Sequence, residues 1–299
     1  MNSVTKNKNP LVSIVILTWN SANFIETCLE SLSWQTYRPF EVIVADNASK
    51  DGTLKKAKEC PQCGIVKKFL ANERNLGCAG GNNVGWRASS GEIVVILNPD
   101  TVVEKTWLEE LAGALQSDPE AAVAGCKIYY PNSHILQHAG GKIHPNGMTT
   151  HLGNGEEDKG QYDELRTVDY VTGAALAVKR KILEEIGGFD EDYDPAYFEE
   201  TDFCYKVRKK GCKVIYVPKS VLYHYESPGL TKNSPRFYEM YYKMRFRFVL
   251  KNFSVKDLLF RFLPFELKWM LFEPAARGFR LMQLRAYLHG LKFVLFQRR

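Results

Sequence analysis

The hydrophobic positions along this sequence form short uninterrupted blocks, separated by stretches in which apolar residues recur at helical spacing. Four blocks rich in Val and Ile come first, at residues 11–19, 41–45, 65–71 and 92–97. Blocks of this length are typical of strands that are buried on both faces of a sheet. Residues 22–34 have helical spacing, and Asn20 with Ser21 are expected to cap that helix. The alternation predicts an α/β fold with a mostly parallel central sheet covered by helices on both faces.

The fourth block ends abruptly in Asn98-Pro99-Asp100. Pro99 has no amide hydrogen for a strand ladder, so the strand is expected to stop there. Asp100 then lies at the carboxyl edge of a central strand, where open α/β sheets bind their ligands. This stretch alone leaves two interpretations open, a simple turn and a carboxylate that holds a divalent cation.

In the rest of the sequence, predicted strands and helices alternate less regularly. Residues 75–85 predict a Gly/Asn loop that runs into a short helix, and residues 131–162 predict a loop or hairpin insertion over the site. The other predicted helices are 104–116, 181–186 and a segment within 195–211, and the other predicted strands are 121–130, 168–178, 213–218 and 220–225. The segment 195–211 opens with acidic residues and closes with basic ones, which matches the dipole of a helix.

The charge of this 299-residue chain is unevenly distributed. Its net charge is +6, with 45% hydrophobic and 25% charged residues, which is ordinary for a globular protein. Residues 236–299, however, contain 14 Lys and Arg against 4 Asp and Glu. Their many Tyr, Phe and Leu residues predict amphipathic helices with basic faces, divided by Pro264 and Pro274. We therefore expect a main domain at 1–235 and a helical region at 236–299.

A basic, aromatic helical region indicates an anionic partner, either a membrane surface or nucleic acid. The alternative is that these helices pack on their own domain and leave their basic stripes in solvent. The apolar residues are rich in Leu and Met, which favours buried helix faces over platforms for stacked bases, so no nucleic acid is expected. No apolar run is long enough for a transmembrane helix.

The cysteines indicate a reducing compartment. There are seven of them, an odd number, and the first residues lack the apolar core of a signal peptide. A cytoplasmic protein is therefore expected. Cys60 and Cys63 form a single C-x-x-C without a second pair, which favours a turn over a zinc or redox site.

Several acidic residues follow predicted strands. Asp46 and Asp100 each come at a strand end, and the carboxyl ends of sequential parallel strands meet at one edge of a sheet. A nucleoside diphosphate fits such a crevice, because Asp46 can accept from a pyrimidine N3–H and the amides of residues 75–85 can approach phosphate oxygens. Asp100 can bind a metal that bridges the two phosphates.

Other nucleotide and hydrolase motifs are missing. The first strand–helix turn, L-T-W-N-S-A-N, lacks G-x-G-x-x-G, which argues against a dinucleotide fold. No G-x-x-x-x-G-K-[ST], G-x-S-x-G or H-E-x-x-H occurs in the sequence, which excludes P-loop enzymes, hydrolases with that serine motif and zinc proteases of that type.

Eight motifs occur in a characteristic order between residues 11 and 251. They are V-S-I-V-I-L-T-W-N at 12–20, D-N-A-S-K-D-G-T at 46–53, N-L-G-C-A-G-G-N-N-V-G at 75–85, L-N-P-D at 97–100, V-T-G-A-A-L-A-V-K-R at 171–180, G-G-F-D-E at 187–191, F-E-E-T-D at 198–202 and His224. In this order the sequence resembles the family 2 glycosyltransferases of GT-A fold, and within them the rhamnosyltransferase-like group.

The resemblance implies roles for particular residues. Those that look like contacts to the nucleotide sugar are Thr18, Asn20, Asp46, Ser49, Asp51, Gly77, Gly81, Asn82, Asn98 and Gly173. Asn98 stands where the family has the first acid of an Asp-x-Asp metal motif, which leaves Asp100 and His224 as the expected ligands of Mg²⁺ or Mn²⁺. In F-E-E-T-D, Glu200 matches the catalytic base, Asp202 is the next candidate, and Glu199 precedes them.

The same residues have simpler interpretations when each is taken alone. The acidic residues 199–202 can be an ordinary first helical turn, and His224 between two tyrosines can be structural. His134, His138, His144 and His151 receive no role.

The implied reaction is an inverting transfer of a sugar, with rhamnose the leading candidate, from dTDP-rhamnose or a UDP-sugar to an acceptor hydroxyl. The expected acceptor is a lipid-linked surface glycan at the inner face of the cell membrane, because the basic, aromatic C-terminal region suits an anionic bilayer. A single displacement needs a base at the acceptor hydroxyl and positive charge at the departing diphosphate. Two alternatives remain: an inactive sugar-nucleotide-binding homologue, because of Asn98, and a nucleic-acid-binding protein that uses the basic C-terminal region.

Overall fold

The computed structural model describes residues 9–226, 234–272 and 278–297. Its strands are β1 Val12–Thr18, β2 Phe40–Asp46, β3 Val66–Ala71, β4 Ile93–Leu97, β5 Thr101–Val103, β6 Ala121–Tyr129, β7 Leu136–His138, β8 Gly141–Ile143, β9 Thr149–His151, β10 Arg166–Thr167, β11 Ala175–Lys179 and β12 Lys213–His224. Its helices are α1 Ile25–Ser33, α2 Thr53–Glu59, α3 Gly77–Arg87, α4 Trp107–Ser117, α5 Arg180–Ile186, α6 Glu199–Lys209, α7 Pro235–Asn252, α8 Leu263–Phe272 and α9 Arg280–Gln297. A short turn at Val255–Asp257 and a π-helical turn at Leu258–Phe262 lead into α8.

One large sheet forms the centre of the protein, in the order β10-β12-β6-β11-β4-β1-β2-β3. β1 pairs in parallel with β2 and with β4, and β12 pairs in parallel with β6. β11 runs antiparallel between β4 and β6. The hydrophobic clusters on the two faces of this sheet are buried by helices, chiefly α1 and α4 on one face and α3, α5 and α6 on the other. The predicted α/β fold with a mostly parallel, doubly covered sheet is confirmed.

The strand register places several chain ends at one edge of the sheet. Thr18 pairs with Asp46, so β1 and β2 end side by side. Leu97, at the end of β4, pairs with Ala175 at the start of β11. The turns that follow β1, β2 and β4 therefore meet the segment that precedes β11.

Helix α3 lies unusually close to β1 because glycines face the strand. A Cβ at Gly85 would overlap the side chain of Val15, and a Cβ at Gly81 would overlap that of Leu17. These glycines serve helix–strand packing.

The start of the first helix differs from the prediction. Helix α1 begins at Ile25, and the residue at its cap position, Phe24, makes no capping hydrogen bond through its side chain. The carbonyl of Ser21 accepts from the amides of Phe24 and Ile25, while the side chain of Asn20 accepts from the amide of Lys50 at 2.9 Å. The expectation that Asn20 and Ser21 cap this helix is wrong, because Asn20 joins the turn after β2 instead.

Two strand predictions also change. Only Ala175–Lys179 of the predicted strand 168–178 forms β11. The earlier residues bond elsewhere, because the amide of Val168 donates to the carbonyl of Val214 and the carbonyl of Tyr170 accepts from the amide of Gly141. The two segments predicted at 213–218 and 220–225 form one strand, β12, with an irregular register between Val217 and Val221. The chain bends there without leaving the sheet.

Helix α7 packs on the body of the protein. Its buried residues join Tyr193 and Phe198 in a separate hydrophobic cluster: Met244, Phe246, Phe248 and Val249. Arg245, fully buried, donates to Glu266 of α8 at 2.6 and 2.9 Å. Burial alone would raise the pKa of Glu266, but the hydrogen bonds from Arg245 hold it below its usual value. The boundary at residue 235 stays a prediction.

Two smaller expectations concern the membrane and the cysteines. None of the helices in the described ranges has both the length and the hydrophobicity that crossing a bilayer requires. Cys60 and Cys63 lie between α2 and β3, and both thiols are free.

Candidate active site

The carboxylate of Asp46 is held by neighbouring side chains at the end of β2. It accepts from the hydroxyl of Thr18 at 2.7 Å, and from the amide and hydroxyl of Ser49 at 2.9 and 2.5 Å. Asp46 and Thr18 are buried. A carboxylate has about four acceptor positions, so one remains on Oδ2 for a ligand.

Asn20 and Asp51 connect the turns that follow β1 and β2. The amide of Asn20 donates to Ser49 Oγ at 2.9 Å, and Asp51 accepts from the amide of Ala22 at 2.9 Å. Burial would raise the pKa of Asp51, but hydrogen bonds from Thr53 and Ala22 lower it overall. Both residues thus make a rigid rim beside Asp46.

Trp19 is a candidate that the motif comparison did not select. It follows Thr18 directly, and half of its side chain is exposed. An exposed indole at the end of a central strand offers a flat apolar face to a nucleotide base. The signal in the sequence was a large aromatic residue immediately after a buried strand.

The expected Gly/Asn loop is mostly helix α3. The amide of Gly77 donates to Asn75 Oδ1 at 2.8 Å, and the amide of Cys78 donates to the carbonyl of Pro195 at 2.9 Å. The amides of the first two residues of α3 are therefore already bonded, and the expected approach of other amides in 75–85 to phosphate oxygens stays a prediction. Gly77 has φ of +70° and lies against Asp194, and Gly81 packs on β1. The buried side-chain oxygen Oδ1 of Asn82 has no hydrogen-bond partner in the described structure.

Asn98, Asp100 and His224 come together at the end of β4. His224 Nε2 lies 3.2 Å from Asp100 Oδ1 and 3.4 Å from Asn98 Nδ2. The pairing of Thr101 with His224 in β5 and β12 produces this approach. Asp100 is 4% exposed, so the cluster is largely shielded from solvent.

Gln137 of β7 sets the orientation of the His224 ring. Its amide nitrogen donates to the carbonyl of His224 at 3.3 Å, so its oxygen faces Nδ1 of the ring at 2.7 Å. Nδ1 must then carry the proton, which turns Nε2 toward Asp100 Oδ1 and the side-chain amide of Asn98.

The donor set fits a divalent cation, with one carboxylate oxygen, one imidazole nitrogen and the side-chain oxygen of Asn98 once its amide is turned. Within the described ranges, no group of three or more His, Cys, Asp or Glu side chains is arranged to hold a metal. Asn98 would thus be the third protein ligand. Gln137 supports His224 from behind, as outer partners of metal-binding histidines do.

Glu199 and Glu200 begin helix α6 directly after two residues with left-handed backbone. Tyr197 has φ of 76° and Phe198 has φ of 71°. Phe198 is buried against Phe248 of α7, with ring centroids 5.6 Å apart. This packing stabilises an unfavourable backbone conformation and sets the start of the helix.

The two glutamates have strongly perturbed acidities. Burial raises the pKa of Glu200 to about 7. Burial and the charge of Glu200 raise the pKa of Glu199 well above its usual value, and Oε2 of Glu199 has no hydrogen-bond partner among the described residues. At neutral pH the pair therefore retains a proton, and a carboxyl with pKa near 7 is suited to general-base chemistry.

Gly173 connects the glutamates to the cluster at β4. The position of a Gly173 Cβ lies 3.9 Å from the side chain of Glu200. The next residue, Ala174, accepts from the amide of Asn98 at 3.0 Å. Glu200 and Asn98 thus contact adjacent residues of one short segment before β11.

Asp202 has a different environment. It is buried, and its Oδ1 accepts from Tyr193 at 3.1 Å and from Asn252 at 2.6 Å. Its Oδ2 forms an ion pair with Lys206 at 2.7 Å. These contacts fasten α6 to α7, which accounts for Asp202 without a catalytic role.

Residues 13–187, more than half of the chain, match Glycosyl transferase family 2. The chain belongs to this family. The N-acetylglucosaminyl-diphospho-decaprenol L-rhamnosyltransferase of Mycobacterium tuberculosis is 26% identical over 82% of this chain and 85% of its own length.

Other family members and a solved structure extend the comparison. The uncharacterized protein y4gI of Sinorhizobium fredii is 35% identical over 73% of this chain. The chain spans 26% or less of the length of y4gI and of two further curated relatives. The mannosyltransferase PcManGT of Pyrobaculum calidifontis, solved with GDP-Man and Mn²⁺, superposes with a TM-score of 0.61 at 21% identity, covering 94% of this chain and 74% of that one. The likeness confirms the expected GT-A-type fold.

The raised pKa of Glu200 predicts how stability depends on pH. Because the folded-state pKa is about 7 and the ordinary value is 4.5, folding binds a proton and stability falls as pH rises between these values. Glu200→Gln removes this cost. At pH 8 the variant should be more stable than wild type by on the order of 1–2 kcal/mol, and the difference should shrink toward pH 5.

Urea unfolding at pH 5, 6.5 and 8 measures this effect. Glu184→Gln on α5 is the matched control, because that carboxylate is largely exposed, and its pH dependence should follow wild type. Parallel pH profiles for wild type and Glu200→Gln would contradict the assignment.

Proposed function

We propose that this protein is an inverting glycosyltransferase that moves a sugar from a nucleoside-diphosphate sugar to an acceptor hydroxyl. The observation that carries the proposal is the position of Glu200, whose pKa is raised to about 7, beside the segment that also holds Asn98. A base and a cation-binding cluster at one sheet edge suit a single displacement. Membership of the family supports the same reaction class.

The catalytic base in this proposal is Glu200. The acceptor oxygen forms a bond to the anomeric carbon while the bond from that carbon to the diphosphate breaks, and the hydroxyl proton passes to the Glu200 carboxylate. Attack from the side opposite the leaving group inverts the anomeric carbon. Glu199 holds the proton that the pair retains at neutral pH, which leaves Glu200 ionised and ready to accept.

Asp100, His224 and Asn98 would hold the divalent cation, Mg²⁺ or Mn²⁺. When bound, the cation neutralises charge on the departing diphosphate. The donor chemistry of these three side chains supports this assignment, and PcManGT was solved with Mn²⁺ and GDP-Man.

For the nucleotide, we propose that the remaining acceptor position of Asp46 and the exposed face of Trp19 bind the base. Thr18, Asn20, Ser49 and Asp51 hold this rim in place. Gly77 and Gly81 shape α3, and the side-chain oxygen of Asn82 can accept a hydrogen bond from the bound sugar nucleotide.

The leading donor is dTDP-rhamnose, with a UDP-sugar as the alternative. The leading acceptor is a lipid-linked glycan of the cell envelope. Rhamnose and a lipid-linked acceptor are supported by similarity to the mycobacterial relative, which is named an N-acetylglucosaminyl-diphospho-decaprenol L-rhamnosyltransferase. The dTDP nucleotide rests on the resemblance to the rhamnosyltransferase-like group. Polysaccharide biosynthesis at the cytoplasmic face of the membrane is the setting that fits these substrates.

A second candidate function is that of an inactive sugar-nucleotide-binding homologue. The side chain of Asn98, an amide where an acid would be expected, favours this alternative because it lowers the negative charge that can hold a cation. The two functions differ in turnover, because an inactive homologue binds the donor without consuming it.

We expect Glu200→Gln to lower sugar transfer by a factor of about 10²–10⁴, because the amide cannot accept the hydroxyl proton. Donor binding should change little. Release of nucleoside diphosphate, followed with and without acceptor, measures the effect, and Glu184→Gln should match wild type. Equal turnover by Glu200→Gln would exclude Glu200 as the base, and a wild type that binds a donor without turnover would favour the inactive homologue.

We expect Gln137→Leu to weaken Mn²⁺ binding by about 10- to 100-fold, because the His224 ring loses the partner that fixes its tautomer. Electron paramagnetic resonance of free Mn²⁺ measures the affinity directly. Gln161→Leu, an exposed glutamine in the same insertion, is the matched control. Unchanged Mn²⁺ affinity in Gln137→Leu would argue against His224 as a ligand.

The C-terminal helices support a membrane-associated location. Large hydrophobic side chains are exposed along the π-helical turn, α8 and α9: Leu259, Phe260, Leu263, Phe265, Leu267, Leu271, Phe272, Leu281, Leu284 and Leu288. Basic residues such as Arg261 and Lys268 lie among them. Interfacial helices of this composition bind anionic bilayers by apolar burial and charge attraction. We therefore propose peripheral binding to the membrane, while α7 packs on the body.

We expect Phe260→Gln with Leu271→Gln to weaken binding to anionic vesicles at least tenfold, because two exposed apolar side chains no longer enter the bilayer. Vesicle sedimentation at low salt measures this. Leu165→Gln changes an equally exposed leucine outside this region and should have no effect. Tighter, steeply salt-dependent binding to RNA or DNA than to vesicles would support the nucleic-acid alternative instead.

A further inference from the structure

A cleft lies beside the exposed apolar helices, away from the candidate active site. It has a volume of about 350 Å³ and is lined by Ile143, His144, Asp169, Tyr205, Arg208, Lys209, Phe253 and Arg261. The lining comes from β8, the carboxyl end of α6, the segment after α7 and the π-helical turn. Glu200 is near the other end of α6, and the α6 residues of the cleft lie roughly 7–14 Å from it along the helix axis.

The floor of the cleft is aromatic and its rim is cationic. The rings of Tyr205 and Phe253 stack with centroids 6.2 Å apart. Lys209 lies over Tyr205 at 5.3 Å, and Arg261 lies over Phe253 at 6.0 Å. Arg208 completes the rim.

The cations of the cleft are incompletely neutralised. Arg208 pairs with Asp169 at 2.8 Å, and Arg261 pairs with Asp257 at 3.2 Å. Within the described ranges, the Lys209 ammonium instead donates to the backbone carbonyl of Asn252 at 3.0 Å. Three cations therefore face two carboxylates, and the guanidinium groups retain donors for a further anion.

The cleft adjoins the surface proposed to bind the bilayer. Arg261 follows Leu259 and Phe260, which are 53% and 77% exposed. His144, on the opposite wall, stacks with the exposed Phe265 at 6.3 Å. If these side chains enter the bilayer, the cleft opens at the level of the lipid headgroups, where its excess positive charge meets phosphate.

We propose that this cleft binds the phosphate headgroup of an anionic phospholipid and so fixes the orientation of the protein on the bilayer. The inference rests on the membrane part of the proposed function. A headgroup site adds affinity for one lipid class beyond general charge attraction, because phosphate is held between Lys209 and the two guanidinium groups.

The test compares two double variants that remove the same charge. Lys209→Gln with Arg261→Gln alters the cleft, whereas Lys256→Gln with Lys268→Gln removes two exposed cations of the same region that do not line it. Each cation near an anionic bilayer contributes roughly fivefold to binding in general. For vesicles of phosphatidylcholine with 30% phosphatidylglycerol, we expect the cleft variant to lose at least tenfold more affinity than the control variant. Equal losses would overturn the proposal.

Soluble ligands test whether the cleft itself binds a phospholipid, independently of the membrane surface, and whether free phosphate binds there equally well. Short-chain dihexanoyl-phosphatidylglycerol, titrated calorimetrically below its micelle concentration, should bind wild type and the control variant saturably and the cleft variant at least tenfold more weakly. Inorganic phosphate that binds as tightly as this lipid would overturn the assignment to phospholipid. Binding of the soluble lipid without binding to vesicles would instead refute the membrane surface and the orienting role, and would support the headgroup site alone. Donor turnover, equal in all three proteins, confirms that each is folded.

Discussion

The structure depends on how strand β4 is held and where it ends. β1 pairs with it in parallel and β11 in antiparallel, so its five residues are buried on all sides. Pro99 stops the ladder, and the amide of Asn98 is still anchored to Ala174. A slip of one residue in either pairing would exchange the side chains of β4 between the two covered faces and disrupt their packing against the helices. The turn that carries Asp100 is therefore fixed by the core.

The C-terminal region, through helix α7, also helps to hold the candidate active site in place. Asn252 of α7 donates to the buried Asp202, and Phe248 packs on Phe198. Both contacts hold the start of α6, which carries Glu199 and Glu200. The basic stretch that suggested a separate region in the sequence thus contributes, through α7, to the position of the candidate base. Its exposed apolar surface begins after α7, at Val255.

Local patterns in the sequence predicted those strands and strand ends that are determined by residues adjacent in the chain. The central strands are uninterrupted apolar blocks, and Pro99 marks the end of β4 with no tertiary information. The helix predicted to follow the loop at 75–85 begins earlier, at Gly77, because glycine disfavours helices and only contact with β1 explains Gly81 and Gly85. Only the family resemblance ranked Glu200 above Asp202 in the sequence, since the contact that ties Asp202 to α7 comes from Asn252, fifty residues away. Gln137 and His224 are 87 positions apart and meet only through the sheet.

The central claim is that this sheet edge binds a sugar nucleotide together with a divalent cation. The most direct measurement is the thermal stability of the protein across a panel of nucleoside-diphosphate sugars, each with and without Mn²⁺, for wild type and Asp100→Asn. A donor at a hundred times its dissociation constant adds about 2.7 kcal/mol of stability, which is readily detected. If the sheet edge binds both ligands, one class of donor gives a Mn²⁺-dependent shift that Asp100→Asn loses. A flat response to every donor, or a shift that Mn²⁺ and Asp100→Asn leave unchanged, would contradict it.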